Sequence, residues 1–184
     1  MQIINIHNPK IIDIVVEYLK LGKVVVLPFD TVYGLSCDFE NKKALKKLFE
    51  IKNRPSKKQI SIAVSDINMA KIYANINKEK EQILSKYFPG KYTVVFPKKY
   101  ARNNSGIAIR IPSSEFIIQM CKIFNKAIVS TSANISGNSP INQIKEIFNW
   151  KILPDLAVDS GKIFGVSSQL IDFRSETPIT LDRE

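Results

Sequence analysis

Lys52-Asn53-Arg54-Pro55-Ser56-Lys57-Lys58 packs four cations into seven residues, between a run of helical periodicity and an apolar strand. Upstream, residues 42–51 place Ala44, Leu45, Leu48 and Phe49 on one face of a helix, and downstream Ile60-Ser61-Ile62-Ala63-Val64 is apolar and β-rich. Before that helix, Lys23-Val24-Val25-Val26-Leu27-Pro28 is a nearly continuous β-branched run, the pattern of a strand covered on both faces. Strand, loop, helix, loop and strand in that order point to an α/β or α+β architecture in which helices flank a mixed sheet. Pro55 ends the helix and stiffens the corner. The cations then leave a fixed loop, which is either a solvated surface loop or a phosphate-binding one.

The flanking chain fits the same layers. Asn8-Pro9 ahead of Ile11, Ile12, Val15 and Leu19 predicts a capped amphipathic helix closed by Gly22. Residues 29–36 are expected to leave the first buried strand as a turn. Asp66 caps a short helix through Ala74, and residues 78–88 form a charged amphipathic helix broken by Pro89-Gly90. Tyr92-Thr93-Val94-Val95-Phe96 is a strand. So is Ile107-Ala108-Ile109-Arg110-Ile111, whose strict alternation puts Ala108 and Arg110 on one face. Arg110 then meets either solvent or a polar cavity where it binds carboxylate or phosphate. A helix from Phe116 to Phe124, a strand at 127–130, a helix at 142–150 and strands at 156–158, 168–173 and 179–180 complete the chain. With 184 residues and 45% hydrophobic content, residues 1–184 are expected to form a single domain.

The 27 Lys+Arg against 17 Asp+Glu favour polyanionic partners, nucleotide or RNA, without choosing between them. Cys37 and Cys121 are far apart and His7 is the one histidine, so neither zinc-ligand spacing nor a Cys/His pair is present. Buried, reduced thiols are expected. The first residues lack the pattern of a signal peptide and no apolar run approaches a membrane span, so no membrane association and a cytoplasmic location are expected. Asp30-Thr31-Val32-Tyr33-Gly34 and Ser130-Thr131-Ser132-Ala133-Asn134 supply neutral donors and acceptors for a small polar substrate. They lack a base for a serine nucleophile.

In order along the chain, these stretches resemble the YrdC-like family of L-threonylcarbamoyladenylate synthases. The resemblance runs through Pro28-Phe29-Asp30-Thr31-Val32-Tyr33-Gly34-Leu35, Lys52-Asn53-Arg54-Pro55, Phe88-Pro89-Gly90 with Thr93, and Ala108-Ile109-Arg110-Ile111-Pro112. It continues in Ser130-Thr131-Ser132-Ala133-Asn134-Ile135-Ser136-Gly137 and in Gly165 with Ser168. It implies a twisted mixed sheet with a basic concave face, and a reaction joining L-threonine, bicarbonate and ATP into threonylcarbamoyl-AMP and pyrophosphate for modification of tRNA adenosine 37. No protein nucleophile is implied: Lys52 and Arg54 stabilise phosphate charge. ATP is expected at Lys52, Arg54, Lys58, Ser132, Asn134 and Ser139, and threonine at Thr31, Arg110, Ser130 and Ser168. Mg²⁺ is expected as the counterion of ATP, without a protein metal site. The product passes to a separate tRNA threonylcarbamoyl transferase complex, with a possible contact to tRNA itself.

The chain departs from the family pattern in places. Phe88 stands where tryptophan is usual, Lys91-Tyr92-Thr93 replaces Pro-Leu-Thr, and Gln59 replaces a common proline. Ser168 is followed by Gln169 where threonine is usual, and Leu181-Asp182-Arg183-Glu184 replaces Leu-Arg-x-Gly, leaving Arg183 to make the C-terminal ATP contact after a one-residue shift. Two other readings are a tRNA- or double-stranded-RNA-binding protein without catalysis and a carbamoyl-adenylate-forming relative.

Overall fold

The computed structural model describes residues 1–56, 58–99, 105–175 and 178–181. Among the described residues are the strands β1 (Gln2–Asn5), β2 (Val25–Pro28), β3 (Tyr33–Ser36), β4 (Ser61–Ala63), β5 (Tyr92–Pro97), β6 (Gly106–Arg110), β7 (Ile128–Val129), β8 (Thr131–Ser132), β9 (Leu156–Asp159), β10 (Gln169–Asp172) and β11 (Ile179–Leu181). The helices are α1 (Ile11–Lys20), α2 (Lys42–Ile51), α3 (Ile67–Tyr73), α4 (Lys78–Leu84) and α5 (Glu115–Phe124). The mixed sheet expected from the sequence is present as two. One runs β1-β9-β2-β3-β8 and the other β11-β10-β5-β6-β4-β7, each combining parallel and antiparallel pairs.

Alternation within β2 explains why the first sheet is covered on both sides. Val25 and Leu27 pack with Ile11, Val15 and Leu19 of α1 and with Ile117 and Met120 of α5. Val24 and Val26 turn to the opposite face, against Ala44, Leu48 and Ile51 of α2. Each such side chain removed from water contributes about 1.5–3 kcal/mol. On the second sheet, Ile62, Val94, Phe96, Ile107 and Ile109 pack with Met69 and Ala70 of α3 and with Leu84 of α4.

The helix ends follow their capping chemistry. Asn41 Oδ1 accepts from the Lys43 and Ala44 N–H groups at 3.0 and 3.1 Å to start α2, and Asp66 Oδ1 accepts from Met69 N–H at 2.9 Å to start α3. Asn8 caps one turn early: its Oδ1 accepts from Lys10 N–H, while the N-cap of α1 is Lys10, without a side-chain cap. Gly22, at φ +67°, closes α1 with its N–H on Leu19 O.

Three boundaries differ from the sequence reading. The expected turn over 29–36 is confined to 29–32, because Tyr33–Ser36 zips antiparallel onto β2. Gly34 permits this, since a Cβ there would lie 2.6 Å from two Phe29 ring carbons. The 142–150 segment is a 3-10 helix over Ile144–Asn149, and the 78–88 helix stops at Leu84.

The chain passes from the second sheet to the first at a single residue. β7 belongs to the second sheet and β8 to the first, with only Ser130 between them. Ser130 N–H donates to Ser61 O at 2.7 Å, and Ser61 Oγ donates back to Ser130 O. This kink sets the place of the site.

Candidate active site

Around the kink lies a small cavity of about 20 Å³, lined by Thr31, Arg110, Ser130, Ser132 and Ser168 together with Phe29. It has room for roughly one water. All four residues expected to bind threonine therefore share one lining, although they come from the β2–β3 turn, β6, the β7–β8 kink and the segment before β10. Thr31, Ser130 and Ser168 are buried, and Arg110 is 4% exposed. The period-two reading of β6 left Arg110 to solvent or to a cavity, and the structure selects the cavity.

Arg110 is held on several sides. Its Nη2 donates to Asp30 Oδ1 at 2.5 Å, its Nη1 to Thr31 Oγ1 at 3.1 Å, and its guanidinium carbon lies 5.4 Å from the centroid of the Phe29 ring. Asp30 Oδ2 in turn accepts from the Ser113 N–H and Oγ–H at 3.1 and 2.9 Å. Ser168 Oγ and Thr93 Oγ1 share a hydrogen bond of 2.7 Å, which fixes Ser168 against β5. Asp30 and Thr93 both fall within the motifs singled out from the sequence, but neither was assigned a role. The signal for Asp30 was an arginine in an apolar strand, which needs a counter-charge when buried.

Lys52 lies behind the same wall. It is 1% exposed, and its Nζ donates to Ser132 O at 2.5 Å, Asn134 Oδ1 at 2.8 Å and Asn134 O at 3.2 Å. Ser132 Oγ also donates to Asn134 Oδ1 at 2.7 Å, and Ser136 N–H to Lys52 O at 2.8 Å. Burial, with a smaller push from the Arg54 charge, brings the Lys52 ammonium down from 10.5 to about 7. The ammonium thus braces the Ser132–Asn134 stretch, and Ser132 joins this knot to the cavity.

The rest of the cationic loop is placed differently. Arg54 Nη2 donates to Gln59 O at 2.9 Å, closing the loop on itself, while its buried Nε meets no partner among the described residues. Arg54 lines a second, open groove of about 1060 Å³ with Phe49, Pro55, Ile135 and Trp150. Lys58 and Ser139 are exposed and stand outside the lining of both hollows. Lys57 and Arg183 lie outside the described residues.

Residues 162–168 form a strap that borders the cavity through Ser167 and Ser168. Its Gly165 sits so close to the Thr31 carbonyl that a Cβ would overlap it, at 1.7 Å from the oxygen. Phe164 and Val166 on either side point outward, 80% and 77% exposed. At the strap's start, Tyr33 anchors the chain: its hydroxyl donates to Gly161 O at 2.7 Å and accepts from Ser160 N–H at 3.0 Å. Among the described residues no three His, Cys, Asp or Glu side chains converge on a metal position. Burial pushes the thiols of Cys37 and Cys121 up to about 12. No described helix is long and apolar enough to cross a membrane.

Comparison with known proteins places the chain in a family and agrees with its fold. The profile of the Sua5/YciO/YrdC family, described as "Telomere recombination", matches residues 17–184. Threonylcarbamoyl-AMP synthase of Buchnera aphidicola is 36% identical over 150 residues, covering 76% of this chain and 85% of the relative. The Pyrococcus abyssi protein of the same name is 32% identical over 181 residues, covering 92% of this chain and 53% of its own. The crystal structure of P. abyssi Sua5 complexed with L-threonine superposes with a TM-score of 0.88 at 27% identity, covering 98% of this chain and 57% of that one. The chain therefore spans little more than half of the Pyrococcus protein.

Proposed function

The chain belongs to the Sua5/YciO/YrdC family, and from that premise we propose that it is a threonylcarbamoyl-AMP synthase. The carrying observation is the convergence of Thr31, Arg110, Ser130 and Ser168 on one cavity whose Ser132 wall is braced by Lys52. Arg110 pairs with the carboxylate of L-threonine, and the hydroxyls of Thr31, Ser130 and Ser168 orient its remaining polar groups. The neutral amine of threonine attacks the carbon of bicarbonate, a C–O bond breaks and water leaves, and the resulting carbamate oxygen attacks the α-phosphorus of ATP. The bond to the β-phosphate breaks and pyrophosphate leaves. Positioning and charge stabilisation suffice for this, because the nucleophile comes from the substrate.

The phosphates lie against Lys52 and Arg54, with Lys58 reaching in from the exposed end of the loop, and the nucleoside extends along Ser132, Asn134 and Ser139. Mg²⁺ is held by ATP and water as the counterion of the phosphates. When bound, Mg²⁺ supplies counter-charge to the phosphates. The product is then handed to a protein that transfers the threonylcarbamoyl group to tRNA, in the cytoplasm.

The test is pyrophosphate release from ATP with threonine and bicarbonate each omitted in turn. Release only when all three are present is the expected result. Release that ignores threonine, or none with the full set, would overturn the reading. Polynucleotide affinity that survives Arg110→Ala, with no turnover of ATP, would favour an RNA-binding role instead.

A further inference from the structure

Among the described residues Asp30 is the one acidic side chain joined to the cavity, yet it does not line it. One carboxylate oxygen is taken by Arg110 and the other by the N–H and hydroxyl of Ser113, in the turn before α5. The carboxylate is therefore turned away from the substrate space and acts on it only through Arg110. Both partners of the ion pair are buried, the arginine side chain at 4% and the aspartate at 8% exposure. In such surroundings charge is weakly screened, so the pair presents to the cavity a fixed guanidinium edge but almost no net charge.

We infer that Asp30 is a positioning residue that makes the cavity selective for a zwitterionic amino acid over an anion of the same shape. This deepens the threonine-synthase reading and rests on it. A lone buried arginine would hold any carboxylate of fitting shape, including a 2-hydroxy acid that lacks the α-amine. With Asp30 behind it, a ligand of net charge −1 meets the field of the aspartate uncompensated, whereas the α-ammonium of an amino acid offsets it. The selection matters for the reaction, because a hydroxy acid seated there has no amine to carboxylate and blocks turnover. Ser113 holds the carboxylate in this orientation, which links α5 to the specificity of a site it does not touch.

The test compares binding of L-threonine with that of its 2-hydroxy analogue, 2,3-dihydroxybutyrate, by calorimetry on the full chain. Wild type is expected to prefer threonine by at least 100-fold. In Asp30→Asn the preference falls at least tenfold, because threonine weakens while the hydroxy acid holds or tightens; Asp30→Glu, which keeps the charge, retains most of it. A general loosening of the site would weaken both ligands alike and leave the ratio unchanged, which would overturn the inference. Asp30→Ser is a second neutral variant should the Asn form fail to fold, and it carries the same expectation. Wild-type protein that binds hydroxy acid and threonine equally overturns the inference alone. Wild-type protein that binds neither overturns the functional reading together with it.

Discussion

Arg110 and Arg54 are both assigned to substrate charge, and they sit in opposite surroundings. Arg110 projects from a strand of the second sheet into a small hollow, where an aspartate, a hydroxyl and an aromatic face hold it before any ligand arrives. Arg54 stands on a loop beside an open groove, held by a single carbonyl of the same loop. Lys52, two residues before Arg54, resembles Arg110 in its burial but is spent on bracing Ser132 and Asn134. The proposed amino-acid half of the site is thus built in advance, while the proposed phosphate half combines one committed cation with others that remain to be organised by ATP. Preorganised charge costs folding stability and repays it in binding; loop charge costs little and is recruited by the ligand.

Substitutions can break this contrast. Arg110→Lys keeps the charge but loses the fork that meets Asp30 and Thr31. A broken buried charge contact costs about 2–5 kcal/mol, so the KM for threonine is expected to rise by two to three orders of magnitude while ATP affinity stays within threefold. Steady-state kinetics with each substrate varied checks this. Lys52→Ala removes the brace as well as a phosphate contact: pyrophosphate release falls about 100-fold and stability by about 1–3 kcal/mol in urea melts. Arg54→Ala, by contrast, costs activity with stability within about 0.5 kcal/mol of wild type. Equal destabilisation by the two would erase the distinction drawn between them.

Smaller effects sharpen it. Gly165→Ala forces the strap off the Thr31 carbonyl and is expected to raise the KM for threonine about tenfold, with ATP binding unchanged. The state of Lys52 also has a pH signature. Burial depresses it from 10.5 to about 7, against the pull of the three oxygens around it. The unfolded chain then holds more protons than the folded one between about pH 7 and 10.5, so the cost of burying this ammonium is full below 7 and fades as pH rises through that window. Bound triphosphate favours the protonated form. ATP binding near pH 8 is expected to take up a fraction of a proton, seen as a dependence of binding enthalpy on buffer, and this uptake should vanish in Lys52→Met.

The threonine side was the more legible in the sequence, because a period of two leaves little freedom. With Ile107, Ile109 and Ile111 committed to the core, Arg110 had to share its face with Ala108 alone. The run Val24–Leu27 likewise announced a strand covered on both sides. Burial of Lys52 was not legible, since four cations in seven residues read as a solvated face and the acceptors that bury it come from 80 residues away. Asp30 was hidden for the same reason, as its partner lies 80 residues on. The division into two sheets rests on β7 and β8, each two residues long, which are too short to leave a periodic trace. Tyr33–Ser36 looked like a turn because its hydroxyls and Gly34 have turn composition, and pairing with β2 overrides that preference.

The contrast between a finished amino-acid subsite and an unfinished phosphate subsite is tested most directly by titrating L-threonine, without ATP, into wild type and Arg54→Ala in a calorimeter. Measurable binding to wild type and a dissociation constant within twofold in the variant are expected. Threonine that binds only once ATP is present, or that is lost with Arg54, would show that the cavity is not organised in advance and would contradict the account.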